Sequence, residues 1–212
     1  MKKLIIVILI ALVVPQITQG QGTTYVSNVG QASIGSSAVG SDSWLTAVFE
    51  TGNSSGGYIL DSIQIAMSGA SGIPAGFTVM LYSGFIPSSR LATLNGSPNP
   101  STAGVYDFTG PPGLVLAPGY YNIVLTTGTP IANGAYEWSY GGTYNTSGGW
   151  AGYFIGAFNS FRSTDGSSWF SAGQSFQYAI NATAVPEPGV SALLALGGLC
   201  FLWLRRKANA VE

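Results

Sequence analysis

The 212-residue sequence has no histidine, one cysteine and no lysine between Lys3 and Lys207. Each absence removes a class of chemistry. Without imidazole there can be no Ser-His-Asp triad, no histidine-assisted thiol and no zinc or iron site built on ring nitrogens. Without an internal lysine there is no Schiff base in the body of the chain, and phosphate-cradling loops of the GxxxxGK[ST] kind are missing as well. The one thiol, Cys200, lies in an apolar run near the C-terminus. The body therefore has neither a disulfide nor a free thiol, and its stability must come from core packing, which about 165 residues can supply.

Charge is equally scarce. Between residues 21 and 186 the only cations are Arg90 and Arg162, set against Asp42, Glu50, Asp61, Asp107, Glu137 and Asp165. A weakly acidic domain with two cations cannot neutralise a run of phosphates, which excludes nucleic acid as a partner. What survives is carboxylate chemistry. A glycoside hydrolase needs two carboxyl groups facing each other about 5 to 9.5 Å apart. Glu137, in "YEWSY", is the best single candidate, but nothing in the sequence supplies it with a second. Calcium needs clustered oxygen ligands, whereas these acids are scattered singly and "STDGSS" around Asp165 reads as a turn. No catalytic residue, metal or cofactor is expected.

What the chain does have begins with two lysines, an apolar run from Leu4 to Val14, a breaker at Pro15 and small residues at Thr18 and Gly20. This is the layout of a secretory signal read by the Sec export machinery, with removal after Gly20, and its 11-residue core is short for a membrane span. The body that follows, 21–184, alternates. "FTVMLY" puts Phe77, Val79 and Leu81 on one face. "SFQYAINA" does the same with Phe176, Tyr178 and Ile180, "YILDSIQIAM" with Ile59, Ile63, Ile65 and Met67, and "GYYNIVLTT" with Tyr121, Ile123 and Leu125. Period-2 patterns of this kind predict strands with one face on a core and the other in water. Further strands are predicted over 43–49, 104–108, 135–140 and 150–154. The stretch 27–43, rich in Gly and Ser, reads as an edge strand with a loose loop or as a flexible lead-in. Asn95-Gly96, Asn133-Gly134 and Asp165-Gly166 predict tight turns. With no helical period in this region, the fold class is all-β, an antiparallel β-sandwich of jelly-roll or immunoglobulin-like type.

Residues 136–169 are dense in aromatics interleaved with Gly, Ser, Thr and Asn. A ring exposed beside small hydrogen-bonding residues suits the face of a sugar, which makes Trp138, Tyr144, Trp150 and Trp169 the candidate glycan contacts. The competing reading is that a sandwich without disulfides needs these rings for its core.

The end of the chain has three parts in order. "VPEP" (Val185, Pro186, Glu187, Pro188) precedes 16 uncharged, largely apolar residues at 189–204, and Arg205, Arg206 and Lys207 follow. The run is just long enough for a single transmembrane helix, and the basic stop places the C-terminus inside with the sandwich outside. The three parts together resemble the PEP-CTERM sorting signal of Gram-negative bacteria, similar in layout to the LPXTG signal of Gram-positive surface proteins. The resemblance covers 185–208. It implies processing by an exosortase near Pro186 to Pro188, after transient anchoring in the inner membrane, with the body ending at the cell surface or outside the cell. It also implies a biofilm and exopolysaccharide setting.

The segments "YILDSIQIAM", "GFTVMLYSGFIPSSRLATLNG" and "GVYDFTGPPGLVLAPGYYNIVLTTG" resemble the choice-of-anchor R type of exported domain, from Val48 to Gly128. That family has no established chemistry, so it lends no functional residue. The expectation is thus a signal peptide at 1–20, a sandwich at 21–184 and a sorting signal at 185–208. The function expected is that of a non-enzymatic surface or matrix protein with affinity for exopolysaccharide. The alternative is an exported glycan-acting hydrolase with paired carboxylates.

Overall fold

Alternating apolar residues become a sandwich only when two sheets bury the same face, and the computed structural model shows that pairing. It describes residues 22–152, 160–186 and 197–198. The predicted signal peptide, Glu187 and Pro188, the run 189–204 apart from Gly197 and Gly198, and the basic stop Arg205, Arg206 and Lys207 lie outside the described residues. Among the described residues no helix is long and apolar enough to cross a membrane.

The strands in chain order are β1 (Thr23–Ser27), β2 (Gly35–Val39), β3 (Trp44–Glu50), β4 (Tyr58–Gly72), β5 (Thr78–Ser83), β6 (Ser89–Thr93), β7 (Asn95–Gly96) and β8 (Gly104–Thr109). They continue with β9 (Val115–Leu116), β10 (Tyr120–Thr126), β11 (Gly134–Tyr140), β12 (Asn145–Thr146), β13 (Ala151–Gly152), β14 (Ser160–Ser163), β15 (Phe170–Ser171) and β16 (Tyr178–Ala184). One sheet runs β12-β1-β16-β4-β11-β2, with β8 and β9 also on β4 and β7 on β8. The other runs β15-β14-β3-β10-β5-β6, with β13 also on β3. Every pairing is antiparallel. The predicted all-β sandwich is what the described residues form.

The predicted inward faces hold for most strands. Phe77, Val79 and Leu81, Tyr121, Ile123 and Leu125, and Phe176, Tyr178 and Ile180 all belong to one buried cluster. β4 departs from the simple pattern. Its register with β16 shifts between Asn181, opposite Ser62, and Ala182, opposite Leu60. Asp61 is the extra residue of this bulge, so Leu60 rather than Ile59 turns inward, while Ile63, Ile65 and Met67 keep their side. A bulge changes phase by one residue, and period-2 counting cannot see it.

The second sheet corrects another expectation, because its outer face is covered. Thr46, Val48, Asn122 and Val124 are fully buried on β3 and β10 although they point away from the central core. Asn122 anchors part of that cover: its Nδ2 donates to the carbonyls of Gly84 (2.7 Å) and Phe85 (3.3 Å), and its Oδ1 accepts from Thr46 Oγ1. The Phe85 ring then stands edge-on to Tyr120 and Phe161. The stretch 27–43 supplies the edge strand β2, paired to β11.

Of the three predicted turns, Asp165 and Gly166 (φ +72°) form one. Asn133 ends a single 3-10 turn, Ile131–Asn133, that leads into β11. Asn95 and Gly96 do not turn; they pair with Thr109 and Phe108. Glycine is needed there for a different reason: a Cβ at Gly96 would lie 2.2 Å from Phe108 Cδ1, inside the core ring.

Candidate functional site

The strongest functional feature of the sequence is its tail, so the place where the sandwich hands over to it matters most. β16 is an inner strand, held by β1 on one side and β4 on the other. Its last residue, Ala184, pairs with Tyr58, and the ladder runs one residue further: Val185 N–H donates to the Gly57 carbonyl at 3.0 Å. The receiving turn is closed by Gly57 N–H to the Ser54 carbonyl at 3.0 Å, with Gly57 at φ +74°. Gly56 packs directly on the tail backbone, where a Cβ would sit 2.6 Å from the Val185 oxygen. Pro186 has no N–H and ends the ladder. Val185 is half-buried and Pro186 exposed. No spacer separates the fold from the motif.

The aromatic stretch behaves differently from the predicted glycan platform. Trp138 is fully buried, stacked on Phe176 at 4.3 Å, and its Nε1 donates to the Gln177 carbonyl at 3.1 Å. Trp150 is 3% exposed, stacked on Tyr25 (4.8 Å) and Phe49 (5.9 Å) with Tyr58 edge-on. Its Nε1 is buried and has no partner among the described residues. Tyr144 is half-buried in its ring, with its hydroxyl donating to the Phe176 carbonyl at 2.9 Å, and burial pushes that phenol well above its ordinary range. Neither Trp138 nor Trp150 presents a ring face to solvent, because a core without disulfides needs them. Trp169 is half-exposed and has no ring pair among the described residues, next to Phe170, 62% exposed on the edge strand β15.

Five of the six carboxylates of the body are engaged one by one in local structure. Glu137 accepts from Ser36 Oγ (3.0 Å), Asp42 from the Ile131 N–H (2.8 Å), Asp61 from Thr183 Oγ1 (2.8 Å) and Asp107 from Gln64 Nε2 (2.9 Å). Asp165 accepts the N–H groups of Ser168 and Ser167 and the Ser163 hydroxyl, which hold its carboxyl below the usual carboxylate range. It shapes its own turn. Among the described residues no three acidic or cysteine side chains gather as metal ligands do.

One arrangement escaped the sequence reading. Thr24, Asn181 and Ser62 form a hydrogen-bonded row across β1, β16 and β4, and Asn181 and Ser62, with Gly22, Gln64, Asp61 and Asp107, line a hollow of about 370 Å³ on the outer face. Within it Gln64 donates to Asp107 and Asn181 to Ser62, and Asp61 is held from beside it by Thr183. The only sequence signal for the row is the polar phase of three strands, which becomes visible once their register is known.

The two-sheet sandwich thus runs without a spacer into the tail sequence. Residues 184–207 match the PEP-CTERM protein-sorting motif, starting at the last residue of β16. No curated protein and no solved structure matches the chain. The resemblance of Val48 to Gly128 to the choice-of-anchor R type is not confirmed. The motif makes this an exported protein, sorted to the cell surface by an exosortase.

Proposed function

We propose that the sandwich is a non-enzymatic surface or matrix module, held transiently in the inner membrane by its tail and released or re-anchored once the tail is removed. The observation that carries this reading is the junction: the PEP-CTERM match begins where β16 ends, so the folded body and the sorting signal form one uninterrupted unit. The carboxylates support the non-enzymatic part. Asp42, Glu137 and Asp165 each serve a separate strand or turn, and Asp61 and Asp107, which line one hollow, are each held within the sheet by Thr183 Oγ1 and Gln64 Nε2, whereas a hydrolase needs two carboxyl groups aimed at one substrate bond. In this reading any exopolysaccharide contact falls to the edge at Trp169 and Phe170, since Trp138 and Trp150 are core residues.

The test is the intact mass and cell fraction of the mature protein from a host with and without its exosortase. Loss of the tail only when the enzyme is present is the expected result. A surface-located product that still carries residues 203–212 would overturn the sorting function. Hydrolysis of a glycan by the purified protein would overturn the non-enzymatic one.

A further inference from the structure

We propose that the turn at 54–57 is a latch on the sorting motif, with Gly56 and Gly57 as positioning residues for removal of the tail. The proposal rests on the sorting function and deepens it. A peptidase grips its substrate as an extended segment, through main-chain groups on either side of the bond it cuts. On the N-terminal side of Pro186 those groups are already taken. Ala182, Thr183 and Ala184 pair with Leu60, Ile59 and Tyr58, and the Val185 N–H is held by the Gly57 carbonyl at 3.0 Å.

The turn is built for close approach. Gly57 lies at φ +74°, which L side chains rarely adopt, and there a Cβ would meet the Leu116 oxygen at 2.7 Å. At Gly56 a Cβ would press on the Val185 oxygen (2.6 Å) and on Val185 Cβ (3.2 Å). Gly56 lets the turn lie against the tail backbone, Gly57 lets the same turn clear Leu116, and Pro186, with no N–H to donate, adds no further rung to the ladder. The enzyme can engage the motif only from Pro186 onward until Val185 lets go. Processing therefore depends on fraying of the last rung of β16, at the pole of the sandwich that carries the turn.

Two full-length variants test this in a host with its exosortase. Gly56→Ala pushes Val185 off the turn, and a Gly-Ser-Gly-Ser insertion between Ala184 and Val185 frees the motif while leaving β16 untouched. Tail loss is followed by pulse-chase and the mass of the recovered protein, and resistance of the body to added protease checks the fold. Both folded variants should lose the tail roughly two- to tenfold faster than wild type, the equilibrium worth of one ordinary hydrogen bond. Tail loss at or below the wild-type rate in a folded variant overturns the latch. If Gly56→Ala does not fold, the insertion decides. A wild-type chain that is processed while the variants gain nothing leaves the sorting function standing, and a wild-type chain that keeps its tail in this host removes both.

Discussion

Thr23 and Ala182 are register partners in β1 and β16, so the first strand of the sandwich starts beside the point where the last one ends. β1 starts and β16 ends at one pole, and the last described strand is an inner strand of its sheet. β16 contributes Tyr178, Ile180 and Ala182 to the core. The sheet cannot close until this strand has been exported. A chain truncated after Gln177 should show no cooperative thermal unfolding by circular dichroism, and Ile180→Ala should cost about 2–5 kcal/mol. A cooperative transition in the truncated chain would contradict the topology.

The two buried indoles should respond differently to the same change. In Trp138→Phe the Gln177 carbonyl loses its indole donor and a gap opens beside Phe176, for a loss of roughly 2–3 kcal/mol. In Trp150→Phe an unpartnered buried donor is removed, which offsets much of the lost ring volume, so the loss should stay under about 1 kcal/mol. Denaturant midpoints of the two variants decide the order.

Asn28 is fully buried and ties three places together. Its Nδ2 donates to the carbonyls of Gly141 (3.0 Å) and Phe176 (3.1 Å), and its Oδ1 accepts the Tyr178 N–H (2.9 Å). Asn28→Ala takes this partner from the Gly141 carbonyl and the Tyr178 N–H, while the Phe176 carbonyl keeps the Tyr144 hydroxyl, and should cost about 2 kcal/mol or more. Asn28→Asp should cost at least as much, since a carboxylate offers no donor to the two carbonyls. Urea unfolding of both variants measures this.

The pH dependence has a definite sign at each end. Burial raises the phenol pKa of Tyr178, Tyr144 and Tyr121 above the ordinary 10.0. The folded state holds these protons more tightly than the unfolded one, so their contribution is complete below about pH 10 and is lost as the pH rises beyond it. At the acid end the depressed Asp165 carboxyl contributes stability that is present above the ordinary carboxylate pKa, near 3.8, and is lost as the pH falls. Melting temperature should be flat from about pH 6 to 9 and fall on both sides. Tyr144→Phe should make the alkaline fall shallower, and Asp165→Asn should do the same on the acid side.

Much of the architecture could be read from residue order, with physical limits. The inward phase of Phe77, Val79 and Leu81, or of Phe176, Tyr178 and Ile180, follows from alternation alone. Ile59 was misplaced because the bulge at Asp61 shifts the phase and is defined only against β16. Asn95-Gly96 resembles a hairpin turn, yet Gly96 is there to clear the Phe108 ring, a contact between residues of different strands. The burial of Val48 and Val124 could not be read either, since what lies over a strand is decided by segments remote in sequence.

By itself the sequence determined the chemistry that is absent, the all-β class and the sorting motif, because each rests on residue type and local spacing. Only the tertiary structure decided which aromatic rings face inward, that the start of β1 and the end of β16 meet at one pole, and that the motif starts on the last rung of an inner strand. Those are relations among residues such as Val185 and Gly57, or Trp150 and Tyr25, that lie more than 120 positions apart. Local spacing carries no trace of such contacts, and packing of the two sheets creates them.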